Sequence, residues 1–374
     1  MLQPSDISPA TPFGDAKAVD KKPRCWNDFR SDTFTVPCEE MRRVMYFATD
    51  GDCVYEEDEN THELEDYVAA LTGKEASMFV TSGTQGNQLC IRTHLHQPPH
   101  SIICDDRAHV YNWEAGAIGI FTQAIVRPIV PKNGLYITAE EIEQKLIVGD
   151  DIHFSPTGLI CLENTLKGTI FPIEEIVRIS NLAKKHKIPL HCDGARLWEA
   201  SAATGISIKE YCSYFDSVSL CLSKGLGAPV GCIIVGKKDY IAKAKWFRKA
   251  YGGGMRQSGM LAAAGLFAIK KNFPRLSKVH EYAKSVASYA ESLGLQLEVP
   301  THSNMVTLTG VNPFILIDEG RKAGLKLQGP RIVLHIQITE EAVETLKKVL
   351  KSTVERQNVD PYVSGKQSEF RVGY

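Results

Sequence analysis

Residues Phe215 to Gly227 read FDSVSLCLSKGLG. The run Val218 to Leu222 has the content of a strand buried on both faces. It stops at Ser223-Lys224, and Gly225, Gly227 and Pro229 follow, residues suited to a tight turn. Lysine is among the residues least often fully buried, so one delivered to the end of a core strand calls for an explanation. A solvated strand-end lysine is one. A desolvated amine with a lowered pKa, able to form a Schiff base with an aldehyde, is another.

A second stretch bears on the choice. Ile188 to Leu197 reads IPLHCDGARL, another apolar strand, which ends in Asp193-Gly194-Ala195-Arg196. Asp193 precedes Lys224 by about thirty residues, the length of one strand–helix–strand step. Two neighbouring strands then present an aspartate and a lysine at their carboxyl ends, where open α/β sheets bind ligands. Pyridoxal phosphate uses both groups: a lysine for the Schiff base, and a carboxylate that keeps the pyridine nitrogen protonated. A structural Asp–Lys ion pair would account for the residue types but not for the glycine turns beside both.

A third stretch, ASMFVTSGTQGNQ (Ala76 to Gln88), predicts an apolar strand, a turn of small residues and a helix start. The free N–H groups and the dipole of a helix N-terminus favour an anion. A serine–threonine helix cap is the ordinary alternative. Beside the Asp193 and Lys224 stretches, Ser82, Gly83 and Thr84 are assigned to the cofactor phosphate.

Composition excludes several classes. The chain has 374 residues, 43% apolar and 23% charged, with a formal net charge of −1. That balance gives no electrostatic case for nucleic acid or an anionic membrane. The longest apolar runs fall short of the ~20 residues a span requires. Ten cysteines occur without a C-x-x-C pair, and five lie in apolar strands, which reads as free thiols in a reducing compartment. No second ligand cluster with zinc-like spacing accompanies His191 and Asp193, so no metal is expected. Residues 1–28 read as a disordered leader without a signal or transit pattern, which gives a cytoplasmic expectation.

HCDGAR followed by SLCLSKGLGAPVG resembles the pyridoxal-phosphate-dependent threonine aldolases of the low-specificity L-type. The resemblance runs from about Phe29 to about Leu350 and includes RSDT (Arg30 to Thr33), the D-x-x-A-H-x-Y-x-x-E-A-G pattern (Asp105 to Gly116), LENT (Leu162 to Thr165) and GGGMRQ (Gly252 to Gln257). It implies an α/β fold of the fold type I, PLP-dependent transferase-like class. A large domain (29–270) with a mostly parallel sheet flanked by helices would be followed by a smaller C-terminal α+β domain (271–352) and a polar tail (353–374). It implies cleavage of L-threonine or L-allo-threonine to glycine and acetaldehyde, with pyridoxal 5'-phosphate covalent on Lys224, and so a place in threonine breakdown and glycine formation. It further implies a homotetramer built from dimers.

Residue by residue, the resemblance gives Ser31 a hold on the substrate carboxylate and puts the tyrosine of Asp50 to Asn60, Tyr55, near the site. His109 would stack on the pyridine ring, with Glu114 near it. His153 would lie near the substrate hydroxyl, so that His109 or His153 is the candidate base. Arg196 would contact the cofactor's phenolic oxygen and the substrate carboxylate, and Arg331 would clamp that carboxylate. Arg256 belongs at the phosphate or at a subunit contact. Glu56 stands where relatives carry glycine, at a position where φ > 0 would be costly for it. Two rivals remain: a related β-eliminating lyase acting on another amino acid, and a non-catalytic protein that kept the fold.

Overall fold

The apolar runs that end in chemistry-bearing residues become neighbours in one sheet. In the computed structural model, which describes residues 22–359, its strands are β1 (Ala76–Val80), β2 (Ser101–Asp105), β3 (Ile125–Ile129), β4 (Thr157–Glu163), β5 (Leu190–Asp193), β6 (Ser217–Cys221) and β7 (Cys232–Gly236). Their spatial order is β1-β7-β6-β5-β4-β2-β3. β7 is antiparallel to β1 and β6, and the other pairs are parallel. β2, β5, β6 and β7 are buried at every position, which is why they read as unbroken apolar runs rather than alternating ones. This is the expected mostly parallel α/β architecture. Most of the expected leader, residues 1–21, and the end of the tail lie outside the described residues.

A second, antiparallel sheet contains β8 (Gln296–Leu297), β9 (Met305–Thr309) and β10 (Arg331–Val333), in the order β10-β9-β8. Helices Leu276–Ser292 and Glu340–Val359 pack on it through Val279, Ala283, Val286, Leu346 and Leu350. Phe29, at the start of the expected large domain, packs in this second core and is tied to it by N–H···O bonds to Lys326 and from Val333.

Local rules account for most boundaries. Thr138 and Glu141 form a capping box ahead of helix Ala139–Lys145. Asp58 caps helix Glu59–Thr72, and Gly73 closes it at φ 67°. The final helix runs to Val359, nine residues past Leu350, and buries Thr353, so the polar tail begins later than its composition suggests. Glu56 adopts φ 61°, the glycine-like conformation that its sequence position puts in question, and forms an ion pair with Lys245.

Candidate active site

The carboxyl ends of β4, β5 and β6 come together. In the parallel pairing Glu163 lies opposite Asp193, and Asp193 lies opposite Ser219. Lys224 follows β6 in a turn closed by Gly227, whose φ of 76° suits glycine and whose N–H donates to the Lys224 carbonyl at 2.8 Å. The Thr35 hydroxyl donates to the same carbonyl at 2.9 Å. Thus a residue of the RSDTFT segment holds the lysine turn across nearly two hundred positions of chain.

The small-residue turn after β1 opens helix Gly83–His94. Ser82 is its N-cap, and the Ser82 hydroxyl accepts from the Gln85 N–H at 3.1 Å. The first-turn N–H groups of Gly83 and Thr84 have no partner within a helix, as at any helix start. A Cβ at Gly83 would lie 2.6 Å from the Cys221 sulfur, so only glycine fits between the turn and the end of β6. The triple-glycine loop has a similar cause. Gly252 has φ 73°, and a Cβ at Gly253 would collide with the Gln85 amide, which binds Thr81 through its oxygen.

His109, Glu114 and Asp193 form one cluster with ligand atoms within 4.8 Å of one another, the two carboxylates buried and His109 half-buried. His109 Nδ1 bonds Glu114 Oε1 at 2.8 Å, and the His109 backbone N–H donates to Glu163 Oε2 at 2.7 Å. Burial opposes the imidazolium, but Glu114, Asp193 and Glu163 outweigh it and hold the His109 pKa above its ordinary value. Burial, reinforced by the nearby Asp193 charge, pushes the Glu163 carboxyl up to about 8. Asp193 Oδ1 accepts from the Ala195 N–H at 3.0 Å, and Oδ2 accepts from the Asn87 amide at 2.8 Å.

A cavity of about 470 Å³ opens beside this cluster, lined by His109, Trp113, Glu163, Arg196, Met305 and Arg331 among others. Arg331, the first residue of β10, also donates to the Arg30 carbonyl at 3.4 Å. Arg196 is held by both oxygens of Asp32, at 2.8 and 2.6 Å. Burial alone would raise the Asp32 pKa, yet the Arg196 charge brings it down to about 2. Asn304 links the same carboxylate, at 3.3 Å, to the Leu334 carbonyl beyond β10, at 3.0 Å.

The expected residues do not all converge. His109, Arg196 and Arg331 line the cavity, and Asp193 lies behind His109. The Ser31 side chain is buried and turned inward, accepting from the Thr33 N–H and hydroxyl as the N-cap of a short helical turn. His153 stands apart on a loop, with its side chain 82% exposed and bonded to Asp151. Tyr55 is exposed, and Arg256 pairs with Asp52 rather than with the Ser82–Thr84 turn. Sequence reasoning missed Asp32, Asn87 and Glu163 as members of the site. Two had a signal, because Asp32 lies in RSDT and Glu163 ends a strand in LENT. The contacts of Asn87 lie far away in the chain.

Comparison with known proteins places these features. Residues 28–310 match the family model of the beta-eliminating lyases. A probable low-specificity L-threonine aldolase of Schizosaccharomyces pombe is 75% identical over 354 residues, which covers 95% of this chain and 94% of that protein. Among solved structures, a Leishmania major threonine aldolase superposes with a TM-score of 0.77 at 20% identity, covering 88% of this chain and 99% of the other. A structure of SPT with PLP superposes with a TM-score of 0.70 at 15% identity, covering 89% and 88%. Both structures share the fold.

Proposed function

The chain belongs to the beta-eliminating lyase family, within it to the low-specificity L-threonine aldolases, and cleaves threonine with pyridoxal phosphate; from that premise we propose how its residues divide the work. The single observation that carries the proposal is the convergence of β4, β5 and β6, which sets Glu163, Asp193 and the Lys224 turn at the carboxyl ends of neighbouring central strands. Similarity at 75% identity to an aldolase favours this reaction over β-elimination on another amino acid.

The residues present suit the cofactor. Gly83 leaves the helix start open where a Cβ could not stand, and Ser82, Gly83 and Thr84 there would hold the phosphate. Asp193 would face the ring nitrogen, Arg196 the phenolic oxygen, and Lys224 would carry the cofactor covalently. Bound there, pyridoxal phosphate supplies an electron sink for the charge left at Cα when the Cα–Cβ bond of the substrate breaks.

The protein's own part is binding, orientation and proton transfer. Arg331 and Arg196 line one cavity and are permanently charged, which suits them to hold the substrate α-carboxylate. Asp32 fixes the direction of Arg196 by a two-point bond. Asp193 keeps a proton on the ring nitrogen. His109 takes the proton of the β-hydroxyl at Nε2, because Nδ1 is committed to Glu114. Ser31 serves this site by shaping the turn that carries Asp32 rather than by touching the carboxylate.

The chain acts in this reading as a cytoplasmic, glycine-forming homotetramer. The tetramer is what the family resemblance implies, and light scattering measures its mass. No described helix is long and apolar enough to cross a membrane.

The test is acetaldehyde release from L-threonine and L-allo-threonine. Lys224→Ala should abolish release from both. His109→Asn should lower kcat by roughly 10²–10⁴-fold, the usual scale for a lost general base, and His153→Asn should stay within a few-fold of wild type. A loss at His153 equal to that at His109 would overturn the assignment of the base.

A further inference from the structure

The division of work proposed above gives Asn87 no role, yet its side chain joins Asp193, Glu114, Ser219 and His191. It is 1% exposed, one turn into the helix that begins at the phosphate turn. Its Nδ2 donates to Asp193 Oδ2 at 2.8 Å and to Glu114 Oε1 at 2.9 Å. Its Oδ1 accepts from the Ser219 hydroxyl at 2.6 Å and from His191 Nε2 at 3.3 Å. Both hydrogens and both lone pairs of the amide are therefore used.

The orientation of this amide is forced. Its nitrogen faces two groups that accept as carboxylates, so the oxygen must face Ser219 and His191. Burial lowers the His191 pKa to about 4, leaving a neutral ring with one N–H. His191 Nδ1 faces the Ser217 hydroxyl at 2.9 Å, so that hydroxyl can donate to Nδ1 while the ring N–H at Nε2 turns to Asn87. Strand periodicity assembles the group. His191 and Asp193 are two apart on β5, Ser217 and Ser219 two apart on β6, and the two pairs stand opposite each other, so all four present one face of the sheet.

Two carboxylates this close disfavour each other's charge. A donor between them offsets that penalty. An amide does so without adding charge, whereas a third carboxylate would deepen the repulsion and an apolar side chain would take the amide donor from Asp193 Oδ2 and leave Glu114 Oε1 with His109 alone. We infer that Asn87 is a positioning residue for the cofactor: its amide holds Asp193 in the orientation that serves the ring nitrogen and couples it, through Glu114, to His109. The inference rests on the assignment of Asp193 to that nitrogen.

The test uses apo-protein reconstituted with pyridoxal phosphate. It reads three quantities: the dissociation constant of the cofactor, the midpoint of the pH titration of its bound absorption band, and the melting temperature of the apo-protein. Asn87→Ala should weaken cofactor binding by roughly ten- to a hundredfold and move the midpoint by about one pH unit, the scale of a lost hydrogen bond to a charged group. Asn87→Asp should weaken binding further. Ser219→Ala removes only one donor to the amide oxygen and should weaken binding by roughly threefold. An Asn87→Ala protein that binds the cofactor within about twofold of wild type, with the midpoint unmoved, overturns the inference whatever its melting temperature. If Asn87→Ala gives no cooperative melt, Ser219→Ala decides, and unchanged binding and midpoint there overturn it. Asp193→Ala separates the two layers. An effect at Asp193 with none at Asn87 defeats this inference alone; no effect at Asp193 defeats the cofactor assignment and the inference with it.

Discussion

Asp32 is fully buried, and the main support for its charge there is Arg196, which meets it with two hydrogen bonds. Burial pushes its pKa up, the Arg196 charge pulls harder, and the result falls from the ordinary 3.8 to about 2. A carboxylate with a depressed folded pKa contributes stability above its unfolded pKa and loses it as pH falls through the folded one. The wild type should therefore lose roughly 2 kcal/mol from this group between about pH 4 and pH 2. Asp32→Asn should lack that acid-dependent loss and should cost about 3–5 kcal/mol at neutral pH, because it removes the carboxylate that binds the buried Arg196 guanidinium at two points. Urea unfolding at several pH values reads both effects. The variant should also raise KM for threonine more than it lowers kcat, since a misdirected Arg196 weakens binding of the carboxylate in ground and transition states alike. An acid profile parallel to the wild type would show that Asp32 is not the group being titrated.

At the scale of elements, the helix Gly83–His94 shows how much of the site follows from close approach. Gly83 meets the Cys221 sulfur at the end of β6, so a side chain there must push the turn after β1 and the strand that delivers Lys224 apart. Gly83→Ala should cost about 1–3 kcal/mol by overpacking and weaken pyridoxal phosphate binding. Adding Cys221→Ala should recover part of that binding, because it removes the sulfur that the new methyl meets. A double-mutant cycle on cofactor affinity measures the coupling, and additive losses would refute the contact. These elements were legible in the sequence because each is an apolar run that stops at polar residues: VTSGT, LENT, HCDGAR and CLSKG. Other elements were not. β3 carries Pro128, which argues against a strand, but β3 is at the edge of the sheet, where a missing N–H has no ladder bond to lose on its open side. The chain reads as a polar tail from residue 353 because Glu355, Arg356, Gln357 and Asn358 are polar and Val359 is exposed. His153 carries no pattern that distinguishes a site histidine from a loop histidine. Asn87 acts on Asp193, and Asp32 on Arg196, across a hundred or more residues, which no local periodicity encodes.

For the molecule as a whole, the main question is what couples the large sheet to the second core, since the cavity draws Arg196 from one and Arg331 from the other. One joint is polar and dry. His280, on the helix Leu276–Ser292, bonds Glu199, on the helix Leu197–Thr204, at 2.6 Å, with both side chains buried. The other Glu199 oxygen packs against Gly225, where a Cβ would lie 2.3 Å away, so the pair also supports the turn that carries Lys224. Burial raises the Glu199 pKa, with His280 pulling the other way. A carboxyl raised on folding is most favourable to stability at low pH and loses that contribution as pH rises. His280→Ala removes the partner and leaves an acid that either stays charged in a dry site or binds a proton. The expected cost is therefore pH-dependent: about 3 kcal/mol near pH 8, where the charge is hard to discard, and clearly less near pH 5, where protonation relieves it. Denaturant midpoints at the two pH values measure the difference. Equal losses at both would mean that the helix contact alone, rather than the buried charge, joins the second core to the lysine turn. Because the pair lies under Gly225, the same variant should also weaken retention of pyridoxal phosphate during dialysis, more at the higher pH than at the lower.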